Sequence, residues 1–80
     1  MFFISEKILD KNSVAIQVDG YLDSDSIPVL REVFDHHLSE GKKVTLNLGN
    51  LSHVSREGRE FLREMENRIS LVGLPPFIRT

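Results

Sequence analysis

Apolar and polar residues follow a strand-like pattern over several short stretches of this chain. Residues 2–9 are apolar at both ends and suit a first strand, compatible with the edge of a sheet. Residues 14–18 are nearly all apolar, as expected of a central strand. The intervening residues 10–13 have turn chemistry, so we expect an antiparallel hairpin. Residues 43–48 alternate between apolar and polar and predict a third strand.

Apolar positions spaced by three and four residues predict two helices. The first covers about residues 25–40, with Pro28 in its first turn and Gly41 at its end. Its buried stripe is Ile27, Leu30, Val33, Phe34, His37 and Leu38. The second helix begins at Ser55 or Arg56. Its buried stripe is Gly58, Phe61, Leu62 and Met65.

Residues 69–73 fit two interpretations. Ile69 and Val72 would extend the stripe of the second helix, or the segment is a short strand closed by Gly73. We favour the strand, because it completes a second β–α–β unit. The predicted fold is a single α/β domain over residues 1–80. It has a small mixed, mainly parallel four-stranded sheet and two main helices, in the order β-β-α-β-α-β.

Two predicted loops, residues 19–26 and 49–58, follow the carboxyl ends of parallel strands. Such strands end at the same edge of a sheet, and open α/β sheets bind ligands and partners at that edge. The N-termini of both predicted helices also point there and carry a partial positive charge. We therefore place the working surface at this edge.

Composition narrows the classes of function. Eighty residues without cysteine exclude disulfides, thiolate metal ligands and cysteine nucleophiles. The net charge of -2 argues against nucleic acid as the main partner. The lack of cysteine fits a reducing cytoplasm, where we expect this protein. Nothing approaches the roughly 20 apolar residues of a membrane span, so we expect no membrane insertion. A chain of this size buries only about 60% of its unfolded surface, so pairing with another chain, including a homodimer, would stabilise it.

Two serines and an arginine near the predicted edge each have a structural and a functional interpretation. Ser55 fits the N-cap of the second helix, or alternatively a phosphorylation site, for which Ser52 is a weaker candidate. Arg56 places a positive charge at a helix N-terminus, which the helix dipole disfavours. It is either an idle surface residue or a contact to an acidic partner or an anion.

The aspartates and histidines predict neither a metal site nor a catalytic site. Asp19, Asp23 and Asp25 suit turns and helix caps. His36 and His37 point about 100° apart on a helix, so they do not readily share one ion. The sequence also contains no nucleophile–base arrangement and no phosphate- or dinucleotide-binding loop. We therefore expect a non-catalytic chain that needs no cofactor.

The order of three segments resembles the STAS domain, the module shared by sulfate transporters and anti-sigma-factor antagonists. Residues 14–23 resemble its opening strand, glycine and leucine–aspartate pair, and residues 44–58 resemble its regulatory corner. Residues 69–79 resemble the next strand and the opening of a third helix, after which the chain stops. The family corner typically reads aspartate, serine, serine or threonine, glycine. Matching on Gly58 puts Arg56 where the phosphorylated hydroxyl stands, which implies that phosphorylation at the usual position is not available.

This resemblance implies a non-catalytic bacterial signalling domain. It would bind an anti-sigma factor or a regulatory kinase and so regulate transcription. The predicted contact residues are Ser55, Arg56, Glu57, Asp23 and Ser24. Members of the family that serve lipid transport suggest an alternative, a regulatory subunit of an ABC transporter. A second alternative, independent of the family, is a small ligand-binding or enzymatic domain that uses the acidic 19–25 loop with His53.

Overall fold

The computed structural model describes residues 2–73, which form five strands and two helices. In chain order these are β1 (Phe2–Asp10), β2 (Ser13–Leu22), α1 (Ile27–Ser39), β3 (Lys43–Asn47), β4 (Leu51–Val54), α2 (Arg56–Met65) and β5 (Ser70–Val72). The predicted hairpin, both helices and the strand within residues 69–73 are confirmed. The expected opening of a third helix after residue 74 lies outside the described residues.

The five strands form one mixed sheet with β2 at its centre. β1 pairs antiparallel with β2, whereas β3 and β4 run parallel to it, and β5 runs parallel to β3. The order is β1-β2-β3-β5, with β4 paired to the last residues of β2. The predicted fold class is confirmed, and β4 is an additional strand within the segment predicted as the 49–58 loop. Its two buried residues, Leu51 and Val54, are three positions apart and so lack the two-residue alternation of a strand.

Both helices lie on the same face of the sheet. The crossovers from β2 to β3 and from β3 to β5 step in the same direction, and such parallel crossovers are right-handed. The helices contact each other through stacked rings of Phe34 and Phe61, with centroids 5.9 Å apart. The Arg31 guanidinium lies 5.1 Å from the Phe61 ring centroid. Within residues 2–73, neither helix is long and apolar enough to cross a membrane.

An ion pair across the helix interface accompanies the stacked rings. Arg31 donates two hydrogen bonds to the two carboxylate oxygens of Glu64, at 3.0 and 3.1 Å. These bonds raise the pKa of Arg31 and lower the pKa of Glu64. The pair is exposed to solvent, so its contribution to stability is small and sensitive to salt.

The hydrophobic core fills the space between the two helices and the sheet face beneath them. Alternate residues of β2 point into it, while the residues between them, such as Ala15 and Gln17, are half-buried on the opposite face. The predicted stripe of α2 is buried as expected. The buried apolar side chains are Val14, Ile16, Val18, Leu22, Leu30, Phe34, Val44, Leu46, Leu48, Leu51, Val54, Phe61, Leu62, Met65 and Ile69.

One polar contact joins β1 to α1. His37 Nε2 lies 2.6 Å from Glu6 Oε1, and the His37 side chain is only 11% exposed. Nδ1 of the same ring is buried without a hydrogen-bond partner in the described part of the chain. The contact defines the side of α1 that faces β1, and it confirms His37 as a member of the buried stripe.

Candidate functional site

The strands β2 and β4 end side by side, and each leads into a helix. Leu22 pairs with Val54 at these ends. α1 starts after the turn of residues 23–26, and α2 starts directly after Ser55. We call this region, residues 21–26 and 51–58, the carboxyl edge. The predicted meeting of the two loops at one edge is confirmed.

One peptide group connects the starts of both helices. The Leu22 carbonyl oxygen accepts a hydrogen bond from Ser55 N at 2.9 Å. The N–H on the other side of that peptide bond belongs to Asp23 and donates to Ser26 Oγ at 3.0 Å. Ser26 is fully buried, and its hydroxyl donates back to the Asp23 carbonyl at 3.2 Å. The end of β2 is therefore bonded to the entry of α1 and to the entry of α2.

The carboxylate of Asp23 closes the turn before α1. Its Oδ1 accepts hydrogen bonds from the backbone N–H groups of Asp25 at 3.0 Å and Ser26 at 3.3 Å. This arrangement confirms the turn-forming role expected for Asp23. Ser24, between Asp23 and Asp25, is exposed.

Ser55 is the N-cap of α2. Its backbone is extended, with φ -75° and ψ 173°, and its Oγ accepts a hydrogen bond from Gly58 N at 3.1 Å. The bond satisfies one of the N–H groups that a helix start leaves without a partner. The predicted capping role is confirmed, and Ser55 is half-buried in that role. Phosphorylation of Ser55 remains a prediction.

Gly58 allows α2 to approach the end of β2 closely. A Cβ at this position would lie 2.5 Å from the Leu22 carbonyl oxygen and 3.1 Å from side-chain atoms of Leu22 and Val54. Because a real Cβ does not approach a backbone oxygen so closely, the geometry of this corner requires glycine. Gly58 is the residue on which the resemblance to the STAS corner was matched, and this close approach is a physical reason for a glycine there.

Arg56 and Glu57 extend into solvent from the first turn of α2. The Arg56 side chain is 88% exposed, and its Nε lies 3.6 Å from Glu60 Oε1. An exposed ion pair of this kind contributes little, so Arg56 remains available to a partner. Together with Asp23, Ser24 and Ser55 they lie at the carboxyl edge, and their contact roles remain predictions.

Sequence reasoning did not identify an aromatic pair at the carboxyl edge. Tyr21 and His53 are neighbours across the β2–β4 ladder, and their rings meet edge to face with centroids 5.5 Å apart. Both are exposed, Tyr21 by 46%. The Ser52 hydroxyl donates to the Gly20 carbonyl at 3.1 Å and fixes β4 alongside. These residues become neighbours only through β4, which the apolar pattern did not predict.

The structure brings His36, His37 and Glu40 together at the end of α1. Their potential ligand atoms lie within 4.8 Å of one another, the one such grouping of three among residues 2–73. It was not expected from sequence, because it depends on how the side chains turn at the helix end. His37 Nε2 is bonded to Glu6, and Glu40 Oε1 lies 3.4 Å from Lys42 Nζ. Two of the three groups already have partners, so we assign no metal here.

The residues of the acidic-loop alternative are engaged separately. Asp19 accepts a hydrogen bond from Gln17 Nε2 at 2.8 Å, Asp23 closes its own turn, and His53 packs on Tyr21. A cleft of about 210 Å³ lies elsewhere on the sheet, lined by residues of β1, β2 and β3. The contacts of these side chains are those of turns and strand neighbours and do not favour a ligand-binding function.

A mixed sheet with an antiparallel first strand, two helices on one face and a glycine-dependent strand–turn–helix corner define a STAS-like fold. Two solved anti-sigma factor antagonists share it. SpoIIAA in its unphosphorylated form matches with a TM-score of 0.74 and 21% identity, over 96% of this chain and 78% of that chain. An antagonist from Mycobacterium paratuberculosis matches with a TM-score of 0.71 and 10% identity, over 89% of this chain and 64% of that chain. No protein-family model and no curated protein sequence matches the chain.

Proposed function

We propose that this chain is a non-catalytic protein-interaction domain of the anti-sigma-factor-antagonist kind. It binds an anti-sigma factor or a related regulatory kinase in the bacterial cytoplasm and thereby regulates transcription. The observation that carries the proposal is the corner at Ser55–Gly58, held against the end of β2 in a fold that known antagonists share.

The proposed contact surface is the carboxyl edge, with Arg56 at its centre. The N-terminus of α2 and the Arg56 guanidinium give this point positive character. Glu57 and the Asp23 turn place negative charge beside it. A partner surface with an acidic group facing Arg56 and a basic rim would complement the edge, and such complementarity mainly sets specificity and association rate.

Arg56 also bears on regulation. An arginine at the expected hydroxyl position has no hydroxyl to form a phosphate ester, so this site does not switch binding in the usual way. A modification at the neighbouring Ser55 would instead put negative charge at the start of α2, where the helix dipole favours it, and would be held beside Arg56.

A pull-down from the source cells tests the proposal. Wild type is compared with Arg56→Glu and with a matched control, Arg63→Glu, which reverses the same charge at the exposed opposite end of α2. We expect wild type and Arg63→Glu to retain a kinase-like anti-sigma factor that Arg56→Glu loses. Failure of wild type to retain such a protein would overturn the proposed function, and equal retention by all three would overturn Arg56 as the contact residue. An ABC-type ATPase held equally by all three would instead support the transporter-subunit alternative.

A further inference from the structure

The outer edge of β1 carries an unusual share of the exposed apolar side chains. Of the six large hydrophobic residues exposed within residues 2–73, three belong to this strand: Phe3 at 72%, Ile8 at 71% and Leu9 at 53%. Among residues 2–73, β1 pairs with β2 alone, so within this part of the chain its other side presents backbone N–H and C=O groups to solvent. Such an edge is a template for pairing with another strand.

Devices that usually protect an edge strand are few in β1. It is nine residues long, contains no proline, and its one irregularity is at its end, between Ile8 and Asp10. Glu6 and Lys7 are its central charges. Proteins that keep an edge unpaired more often shorten the strand, interrupt it or cover it.

Pairing with β2 fixes which face each β1 side chain occupies. Ile4 lies opposite the buried Val18, so the even-numbered residues of β1 up to Ile8, before the register shift, face the helices. Phe3 lies opposite Asp19, so odd-numbered residues face away from them. A strand that continues this sheet must match even with even and odd with odd.

We propose that β1 pairs antiparallel with β1 of a second copy around Glu6, forming a symmetric homodimer with one continuous sheet. In this register Phe3 lies opposite Leu9 of the second copy. Ile4 likewise lies opposite Ile8 of the second copy. The Phe3–Leu9 pair lies on the face away from the helices and the Ile4–Ile8 pair lies on the helix face. The two-fold axis makes each pair occur twice.

The neighbouring registers are less favourable. If the two-fold axis passes through Ser5 instead of Glu6, Phe3 lies opposite Lys7 and Ile4 lies opposite Glu6 of the second copy. If the axis passes through Lys7, Ile8 lies opposite Glu6 of the second copy and the two copies of Lys7 lie opposite each other. Only the register centred on Glu6 matches apolar residues on both faces, so the strand is complementary to itself, and this favours a second copy over a foreign strand.

The two Glu6 side chains face each other across the proposed axis, and like charges directly opposite weaken a strand pair. The contact with His37 relieves part of this repulsion, because it draws each carboxylate towards α1 of its own copy.

Val29 and Val33 lie on α1, and Val29 is 43% exposed. Because the axis is perpendicular to the sheet, both α1 helices lie on the same side of the joined sheet.

Sedimentation and cross-linking test this dimer directly. We expect a dimer at about 100 µM, weakened at least about tenfold by Ile8→Asp, because a buried apolar pair is replaced by a charge. The matched control is Val72→Asp, at a side chain 44% exposed on β5, which is expected to leave the dimer unchanged. A monomeric wild type, or equal effects of the two substitutions, would overturn the proposal.

Single cysteines determine the register, because the chain has no cysteine of its own. Glu6→Cys places two thiols directly opposite each other, with Cα atoms about 5 Å apart, so it should form a covalent dimer on mild oxidation. Ser5→Cys places them about 8 Å apart, beyond disulfide reach, and should remain uncrosslinked. Cross-linking by Ser5→Cys but not by Glu6→Cys would overturn the register. These tests involve β1 and not Arg56, so their failure leaves the proposed partner surface standing.

Discussion

The carbonyl oxygen of Leu22 lies 2.5 Å from the point at which any side chain at Gly58 would place its Cβ. The same oxygen accepts a hydrogen bond from Ser55 N at 2.9 Å. One hydrogen bond therefore joins the start of α2 to the end of β2. The two elements can approach this closely because position 58 has no side chain. This close approach fixes the position of Arg56 in the first turn of α2.

Replacing Gly58 by alanine should destabilise the domain. At an exposed position inside a helix the same change stabilises by about 1 kcal/mol, so the expected sign is reversed here. The new methyl group would push α2 away from Leu22, at a cost of about 1–3 kcal/mol. Urea unfolding measures the difference, with Arg59→Ala as a control expected to stay within about 0.5 kcal/mol. A Gly58→Ala variant as stable as wild type would contradict the close approach.

Replacing Ser55 by alanine should cost about 1 kcal/mol, because Gly58 N loses its acceptor. Ser55→Asp should retain the stability of wild type, since a carboxylate also caps and is favoured at a helix N-terminus. Ser24→Ala is the matched control, an exposed serine at the same edge. Urea unfolding measures the stability of the three variants. Equal losses of stability for Ser55→Ala and Ser55→Asp would rule out the cap as the cause.

The Arg31–Glu64 pair should give a pH-dependent contribution to stability. The pKa of Glu64 is lowered in the folded state, so its contribution is present above the ordinary glutamate range and is lost as the pH falls through the folded pKa. Glu64→Gln should be less stable than wild type at neutral pH. The difference should begin to shrink as the pH falls through the ordinary glutamate pKa and should vanish only below the lowered pKa of folded Glu64. Urea titrations across this range, with exposed Glu32→Gln as the control, test it. A pH-independent difference would assign the effect to packing.

Tyr21 should contribute to partner binding without contributing much to folding. Its ring is half exposed beside His53, and exposed aromatic residues are common among the residues that dominate interface energies. Tyr21→Ala should weaken binding of the captured partner by at least about fivefold. His36→Ala, which removes an exposed ring at the end of α1, should bind as wild type does. Equal affinities for both variants would place Tyr21 outside the interface.

The regular elements were predictable because their buried residues repeat with a regular period. Leu30, Phe34 and His37 follow the helical spacing, and Val14, Ile16 and Val18 follow the strand spacing. The cap at Ser55 was also predictable, since it depends on residues three positions apart. β4 was not, because it is four residues long and its register with β2 shifts at a bulge, where Ser52 is the extra residue between Leu51 and His53.

Contacts between distant parts of the chain were beyond sequence reasoning. The Tyr21–His53 pair depends on β4, and the Glu6–His37 contact depends on how α1 lies over β1. The grouping of His36, His37 and Glu40 depends on side-chain rotamers that periodicity does not determine. The reason for glycine at position 58 also became clear only when Leu22 was seen across from it.

The peptide group between Leu22 and Asp23 makes the two halves of the carboxyl edge mechanically dependent. Its oxygen is bonded to Ser55 and its N–H to Ser26, so a rotation of this one plane alters both bonds at once. A partner that pulls on the first turn of α2, or a charge added at Ser55, would therefore reach the entry of α1 through three atoms. The two loops therefore share one hydrogen-bonded peptide plane at the end of β2.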